Sequence, residues 1–282
     1  MTEFVSISDT EYRQISQLVY DKFGINLGEK KRSLVLGRLH KIVRQNGFEN
    51  FGEYYEHVLT DQSGSALRTL IDRISTNHTF FYREKSHFEY FSETVLPALA
   101  NLKDSNSRKA IRIWSAGCSS GEEPYTLAML ISEYLGQDLR NWNAGVLATD
   151  ISSNVLEKAG QGIYSDENVS RLPSSLKLKY FKKLPDGSWQ VVPKIREMVL
   201  FRRLNLMRNE FPFRNRFHTI FCRNVMIYFD QVTRDALVHR FHRYLENDGY
   251  LFIGHSESLG RQNNYFNYLQ PATYKKKGDR QQ

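Results

Sequence analysis

From residue 111 onward, short apolar runs bounded by polar turns alternate with longer stretches of helical period, and few folds accept that alternation. The runs are IRIWSA (111 to 116), AGVLATD (144 to 150), MVLFRRL (198 to 204), HTIFC (218 to 222) and GYLFIG (249 to 254). Such runs, spaced by helix-length intervals, predict a parallel sheet with crossover helices. The preceding region has a different texture. Over residues 1 to 95 apolar positions recur at three and four, as at Ile15, Leu18, Val19 and Phe23, which predicts an all-helical N-terminal domain without strands. Ser8 and Asp9 offer N-cap chemistry, and Gly24, Gly28 and Gly47 mark helix ends and turns. Between the two textures NLKDSNSRK (101 to 109) is polar and aperiodic, so a linker is expected over 96 to 110. The expected fold class is α/β, a doubly wound, mostly parallel sheet over 111 to 276 behind an all-α domain.

One interval is too long for a simple crossover. In 161 to 197, KYFKKL and SWQVV flank Pro185, Asp186 and Gly187, which predicts a hairpin and hence a small antiparallel β insertion. The end, YFNYLQPATYKK, suits an antiparallel edge pair, with KKKGDRQQ fraying.

Composition narrows the function classes. With 40% hydrophobic residues a chain of 282 can fill a real core, which excludes disorder for the bulk. Lys and Arg number 39 against 31 Asp and Glu, a net charge of +8 that leaves nucleic acid, anionic membrane and acidic protein all open as partners. Cys118 and Cys222 cannot make a disulfide framework or a zinc site, and no metal centre is expected; both read as packed thiols. No apolar run approaches the roughly 20 residues that span a bilayer. The opening MTEFVSISDTEYR is too polar and acidic for a targeting peptide, so a cytoplasmic location is expected.

The strongest chemical signal is IRIWSAGCSSGEEPYTLAMLI, a strand running through a glycine-bounded turn into a helix. As a dinucleotide site it has the wrong glycine spacing, and Glu122 and Glu123 would repel a pyrophosphate. As a nucleophile elbow, Gly117-Cys118-Ser119-Ser120-Gly121 satisfies G-x-S-x-G, and Ser119, Asp150 and His255 follow in hydrolase order, but no sheet strands precede it. The third reading is a cationic nucleoside without phosphates, and S-adenosylmethionine fits. Its sulfonium and ammonium welcome Glu122 at the helix head, where a carboxylate is favourable by roughly 0.3–1 kcal/mol. Asp150, ending the second strand, is placed to accept from ribose hydroxyls.

These residues belong to a set of blocks that resembles the CheR-type chemoreceptor glutamate O-methyltransferases over essentially the whole chain. The blocks are IDRISTNHTFFYRE (71 to 84), IWSAGCSSGEEPYTLA (113 to 128), ATDISSNVLEKAGQGIY (148 to 164), IFCRNVMIYFD (220 to 230) and GYLFIGHSES (249 to 258). One departure is Tyr82 after Phe81, where the family usually has a second Phe. The resemblance implies a Rossmann-like class I methyltransferase with S-adenosylmethionine as methyl donor and S-adenosylhomocysteine as product. It places cofactor contacts on Asn77, Thr79, Arg83, Glu122, Asp150, Asn205, Leu206, Asn224 and Val225. Arg83 is expected to pair with the methionine carboxylate, and Asn205 with Leu206 to hold the adenine. The N-x-T-x-x-x-R motif is expected on a helix that folds back over the site.

Methylation of a carboxylate needs no strong base, because a Glu of pKa about 4.3 is already ionised at neutral pH. Arg223 and Tyr228, beyond the fourth strand, are expected to orient the incoming carboxylate, the alternatives being a Tyr228 ring packed under the following helix and an Arg223 that braces the turn. Lys30, Lys31, Arg38, Lys41 and Arg44 cluster on one side of a helix, with Val35, Leu39, Ile42 and Val43 opposite. An acidic helix is the natural partner, and the resemblance implies the cytoplasmic bundle of a chemotaxis receptor. In some members of the family the β insertion adds a receptor peptide as an extra strand, and the short hairpin here argues against such tethering. The rival is a methyltransferase that grips nucleic acid, although Cys222-Arg223-Asn224-Val225 lacks the Pro-Pro turn common in amino-methylating enzymes of that kind.

Overall fold

The computed structural model describes residues 6–101, 109–260 and 263–278. The N-terminal region is helical: α1 (Asp9–Phe23), α2 (Arg32–Gln45), α3 (Phe51–Thr60) and α4 (Ser65–Ile74). Ser8 caps α1 through a capping box with Glu11, satisfying two otherwise unpaired N–H groups. Gly24 ends α1 at φ 70, and a Cβ there would come within 2.3 Å of Met207 Sδ, so this helix end also fits against the sheet domain. The apolar stripe of each helix meets in one core that includes Ile15, Val19, Val35, Leu39, Val43 and Ile71.

The expected linker is in part helix. α5 (Lys85–Tyr90) passes through a π-helical turn, Phe91–Val95, into α6 (Leu96–Asn101). Val95, Leu96 and Leu99 are buried against the sheet, and that apolar anchoring overrides the polar stretch that follows. Residues 102–108 of the linker, like 1–5 and 279–282, lie outside the described residues.

The remaining elements are β1 (Ala110–Ala116), α7 (Glu122–Leu135), β2 (Asn143–Asp150), α8 (Ser153–Gln161), β3 (Ile163–Tyr164), α9 (Asp166–Val169), α10 (Ser174–Tyr180), β4 (Phe181–Lys183), β5 (Trp189–Val191), α11 (Pro193–Arg196), β6 (Val199–Arg203), β7 (Phe217–Cys222), α12 (Gln231–Tyr244), β8 (Leu245–Ile253), β9 (Phe266–Gln270) and β10 (Thr273–Lys276). Seven strands form one sheet in the order β6-β2-β1-β7-β8-β10-β9. The first five are mutually parallel, and β10 and β9 complete the sheet antiparallel. Ile111, Ile113 and Phe221 pack on one face, and Trp114, Ala116, Ile220 and Cys222 on the other, which is why these strands read as continuous apolar runs. The insertion is the antiparallel sheet β3-β5-β4, closed by a turn in which Leu184 N–H donates to Ser188 O.

Two expectations change at the margins. Lys275 and Lys276 do not fray: they belong to β10, and Lys276 is buried with its ammonium donating to Leu245 O. The helical region also meets the sheet domain through one β-bridge, Ile25 to Phe229. No helix among the described residues is long and apolar enough to cross a membrane.

Candidate functional site

The chain leaves β1 in one direction, to β2 and β6, and returns to β7 on the other side. The order therefore reverses between β1 and β7, and a crevice opens beyond their C-terminal ends. A cavity of about 220 Å³ lies there. Its floor comes from the strand ends, and its roof from the helical region, through Leu27, Lys31, Leu34 and the segment 74–80.

The turn after β1 is shaped by a close approach. Gly117 has φ +84, and a Cβ would lie 2.3 Å from Val225 Cγ2, so only glycine lets the β7 exit turn pass. Gly117 and Cys118 N–H both donate to Thr149 O, which draws the turn toward the end of β2. Asp150 closes the circuit: its two oxygens accept from Ser119 N–H at 2.8 Å and Ser152 N–H at 2.9 Å. It is 7% exposed, and burial pushes its carboxyl pKa up while those backbone bonds oppose the rise.

Of the two acids opening α7, the one facing the cavity is Glu123, not Glu122. Glu122 is 2% exposed, turned toward the Ser120 hydroxyl at 2.7 Å and absent from the cavity lining. Burial raises its pKa. Successive residues on a helix diverge by about 100°, so the pair could not both face the cofactor, and the Gly-Glu-Glu text does not say which does. Glu123 accepts from Ser115 Oγ at 2.7 Å and from Arg223 Nη1 at 2.9 Å.

Arg223 is buried and paired twice, with Glu123 and with Glu84 Oε2 at 3.1 Å, and it also donates to Arg83 O. A guanidinium so engaged braces the β7 exit turn and has little left for an incoming carboxylate, which favours the bracing role over the orienting one. Asn224 follows at φ 60; its side-chain oxygen accepts from Arg83 Nη2 at 2.8 Å, and its amide donates to Glu84 Oε1. Tyr228 lines the cavity with its ring under the Lys31 ammonium, 5.1 Å from the centroid.

The N-x-T-x-x-x-R motif is not on a helix. Residues 75–80 are irregular, and Tyr82 and Glu84 lie at positive φ, 60 and 58. An extended segment can bring Asn77, Thr79 and Arg83 to one cavity, where a helix would splay them. Asn77 O accepts from Ser119 Oγ at 2.9 Å, tying this segment to the turn after β1. That bond also occupies the hydroxyl required by the hydrolase reading, while His255 Nε2 faces Ser86 Oγ at 3.4 Å.

Asn205 and Leu206 line the cavity after β6. The Asn205 amide donates to Lys22 O at 2.7 Å and accepts from Met207 N–H at 2.9 Å, so it joins α1 to the strand ends. The five cations expected to dock a partner divide. Lys30, Lys41 and Arg44 are exposed, whereas Lys31 reaches the cavity and Arg38 is bound to Ile74 O and Thr76 Oγ1.

Glu84, His87 and His255 bring their donor atoms within 4.8 Å of one another, the spacing of a metal trio. Glu84 is already committed to Arg223 and Asn224, and a second cation beside that guanidinium would be repelled.

The cavity suits S-adenosylmethionine: it combines carboxylates from Glu123 and Asp150 with apolar walls from Leu206 and Val225, and Gly117 opens room at its floor. The comparisons agree. Residues 77–275 match the model for "CheR methyltransferase, SAM binding domain", and residues 10–75 the model for "CheR methyltransferase, all-alpha domain". The chain is 47% identical over 272 residues to the chemotaxis protein methyltransferase of Borreliella burgdorferi, covering 96% of each. It is 38% identical to that of Escherichia coli, over 92% of this chain and 88% of the relative. To chemotaxis protein methyltransferase 1 of Pseudomonas aeruginosa the identity is 37%, over 94% and 96%.

Proposed function

Because the chain belongs to the CheR methyltransferase family and is an S-adenosylmethionine-dependent methyltransferase of chemotaxis, we propose that it methylates glutamate side chains on the cytoplasmic helices of chemotaxis receptors. The observation that carries this reading is the double use of one helical segment. Lys31 and Leu34 wall the cofactor cavity, while Lys30, Lys41 and Arg44 on the same segment face solvent as cations. An acidic helix drawn to those cations is thereby brought beside the methyl donor. The same position relative to the membrane follows: the enzyme works in the cytoplasm, where such helices lie.

When bound, S-adenosylmethionine would supply its methyl carbon to a carboxylate oxygen, an O–CH3 bond forming as the S–CH3 bond breaks and S-adenosylhomocysteine leaves. Asp150 is the residue to hold the ribose hydroxyls, since its two oxygens offer about four acceptor sites and its backbone donors do not use them all. Glu123 offers negative charge to the cationic part, Arg83 positive charge to the carboxylate, and Leu206 with Val225 an apolar bed for the base. A glutamate nucleophile is ionised at neutral pH, so the protein's task is alignment and exclusion of water, effects that supply up to roughly 7–11 kcal/mol. Tyr228 and Lys31, stacked at the cavity wall, are the groups to receive the incoming carboxylate.

The test is labelled methyl transfer from S-adenosylmethionine to receptor cytoplasmic domains, read by peptide mass spectrometry. A base-labile methyl ester on glutamate is expected. Label on nucleic acid, or none on any acidic helix, overturns the choice of acceptor.

A further inference from the structure

The block GHSES, after β8, does not line the cavity, yet Glu257 within it is 9% exposed and faces no cationic side chain in its hydrogen bonds. Its carboxylate is filled by backbone N–H groups. Oε2 accepts from Asn224 at 3.0 Å and from Gly254, and Oε1 accepts from Ile227 at 3.1 Å. Two of these donors belong to the turn that leaves β7, which carries Asn224, Val225 and Tyr228 to the cavity. The third is Gly254, where a Cβ would stand 2.8 Å from Asn224 N and 2.9 Å from Glu257 Oε2. A side chain at position 254 would intrude between Asn224 N and Glu257 Oε2, so glycine there keeps that contact open. A turn holding a non-glycine residue at φ 60 needs such over-determination, since the left-handed region is sparsely populated.

We propose that Glu257 is a positioning residue for the methyl donor: its carboxylate fixes the Asn224–Tyr228 turn and, through Asn224, the orientation of Arg83 in the cavity. The chain of contacts is continuous. Glu257 holds the Asn224 backbone, the Asn224 side chain receives Arg83 at 2.8 Å, and Val225 packs over Gly117. A carboxylate suits this place because it only accepts hydrogen bonds, and every group facing it donates. An amide would turn an N–H toward one of those donors.

The proposal rests on S-adenosylmethionine as the bound donor, and wild-type calorimetry with that compound tests this premise separately. Glu257→Gln is expected to weaken S-adenosylmethionine binding by about tenfold, the equivalent of one lost charge-assisted hydrogen bond. In the ligand-free protein the amides of Asn224 and Ile227 are expected to exchange hydrogen faster, while amides of β1 do not change. Glu246→Gln is the control for stability alone, since it breaks the Arg112–Glu246 pair at the other end of β8, and it should leave donor affinity unchanged. Should Glu257→Gln not fold, Glu257→Asp, which keeps the charge, carries the same measurements with a smaller expected loss. A folded variant with wild-type donor affinity and unchanged exchange at 224–227 overturns the proposal, as does failure of both variants to fold, which would make Glu257 a stability determinant only.

Discussion

The floor and the roof of the cavity are built by different means. On the floor, Asp150, Glu123 and Arg223 are held by hydrogen bonds and ion pairs to the strand-end turns and to one another. On the roof, the cations of α2 and the preceding turn reach solvent at Lys30, Lys41 and Arg44, and Lys31 rests on a ring rather than on a carboxylate. The difference corresponds to two tasks. A small donor of constant shape rewards groups whose geometry is set before binding, whereas an acidic helix recognised at several places rewards exposed charges that act at a distance and adapt.

If the floor is set in advance, breaking its brace should be the most damaging change. Arg223→Ala leaves the half-buried Glu84 and Glu123 without their buried cation, and a loss of about 3 kcal/mol in denaturant unfolding is expected. A loss near zero would mean the network is dispensable. Next is Asp150→Ala, expected to lower S-adenosylmethionine affinity by about 100-fold in calorimetry, or roughly 2.7 kcal/mol. Near-normal binding would remove this acid from the donor site.

The floor also carries a pH signature. Burial, followed by the charge of Arg223, lowers the His87 pKa to about 3 from an ordinary 6.5. Below pH 6.5 the unfolded chain takes up a proton that the native His87 refuses, so stability is full above that pH and falls as the solution is acidified toward 3. The slope is about 1.4 kcal/mol per pH unit for one such group. Comparing unfolding at pH 7 and pH 5 should show this slope in the wild type and a shallower one in His87→Phe; equal slopes would point to other groups.

The roof should give the mildest response. The triple variant Lys30→Ala, Lys41→Ala, Arg44→Ala is expected to raise the acceptor KM about tenfold with folding stability within about 0.5 kcal/mol of wild type. The difference should shrink as salt rises, since the Debye length is already about 8 Å at physiological ionic strength. An unchanged KM at low salt would transfer acceptor docking to some other surface.

Local features were readable from the chain alone. The parallel strands, the Gly117 turn, Asp150 at the end of β2 and the helical character of the first domain follow from period, turn chemistry and short-range spacing. Other features depend on contacts that local sequence does not specify. The choice between Glu122 and Glu123 depends on how α7 rotates against the sheet, and the irregular course of 75–80 depends on contacts with Ser119 and Arg38. Whether Arg223 orients a substrate or braces its turn is not legible in the chain, because its partners, Glu84 and Glu123, lie 139 and 100 residues away in sequence.

What the amino-acid order determined by itself is therefore the set of elements and the chemistry at their ends: acids where a cationic donor belongs, a glycine in the turn that opens the crevice, cations along one helix. What only the tertiary structure decided is which of those charges remain available. Strand order places β7 beside β1 and sets Glu257 against the β7 exit turn, so partners distant in the chain neutralise Arg223 and fix Asn224. Periodicity specifies a face, but a charge is spent or free according to what the fold packs against it.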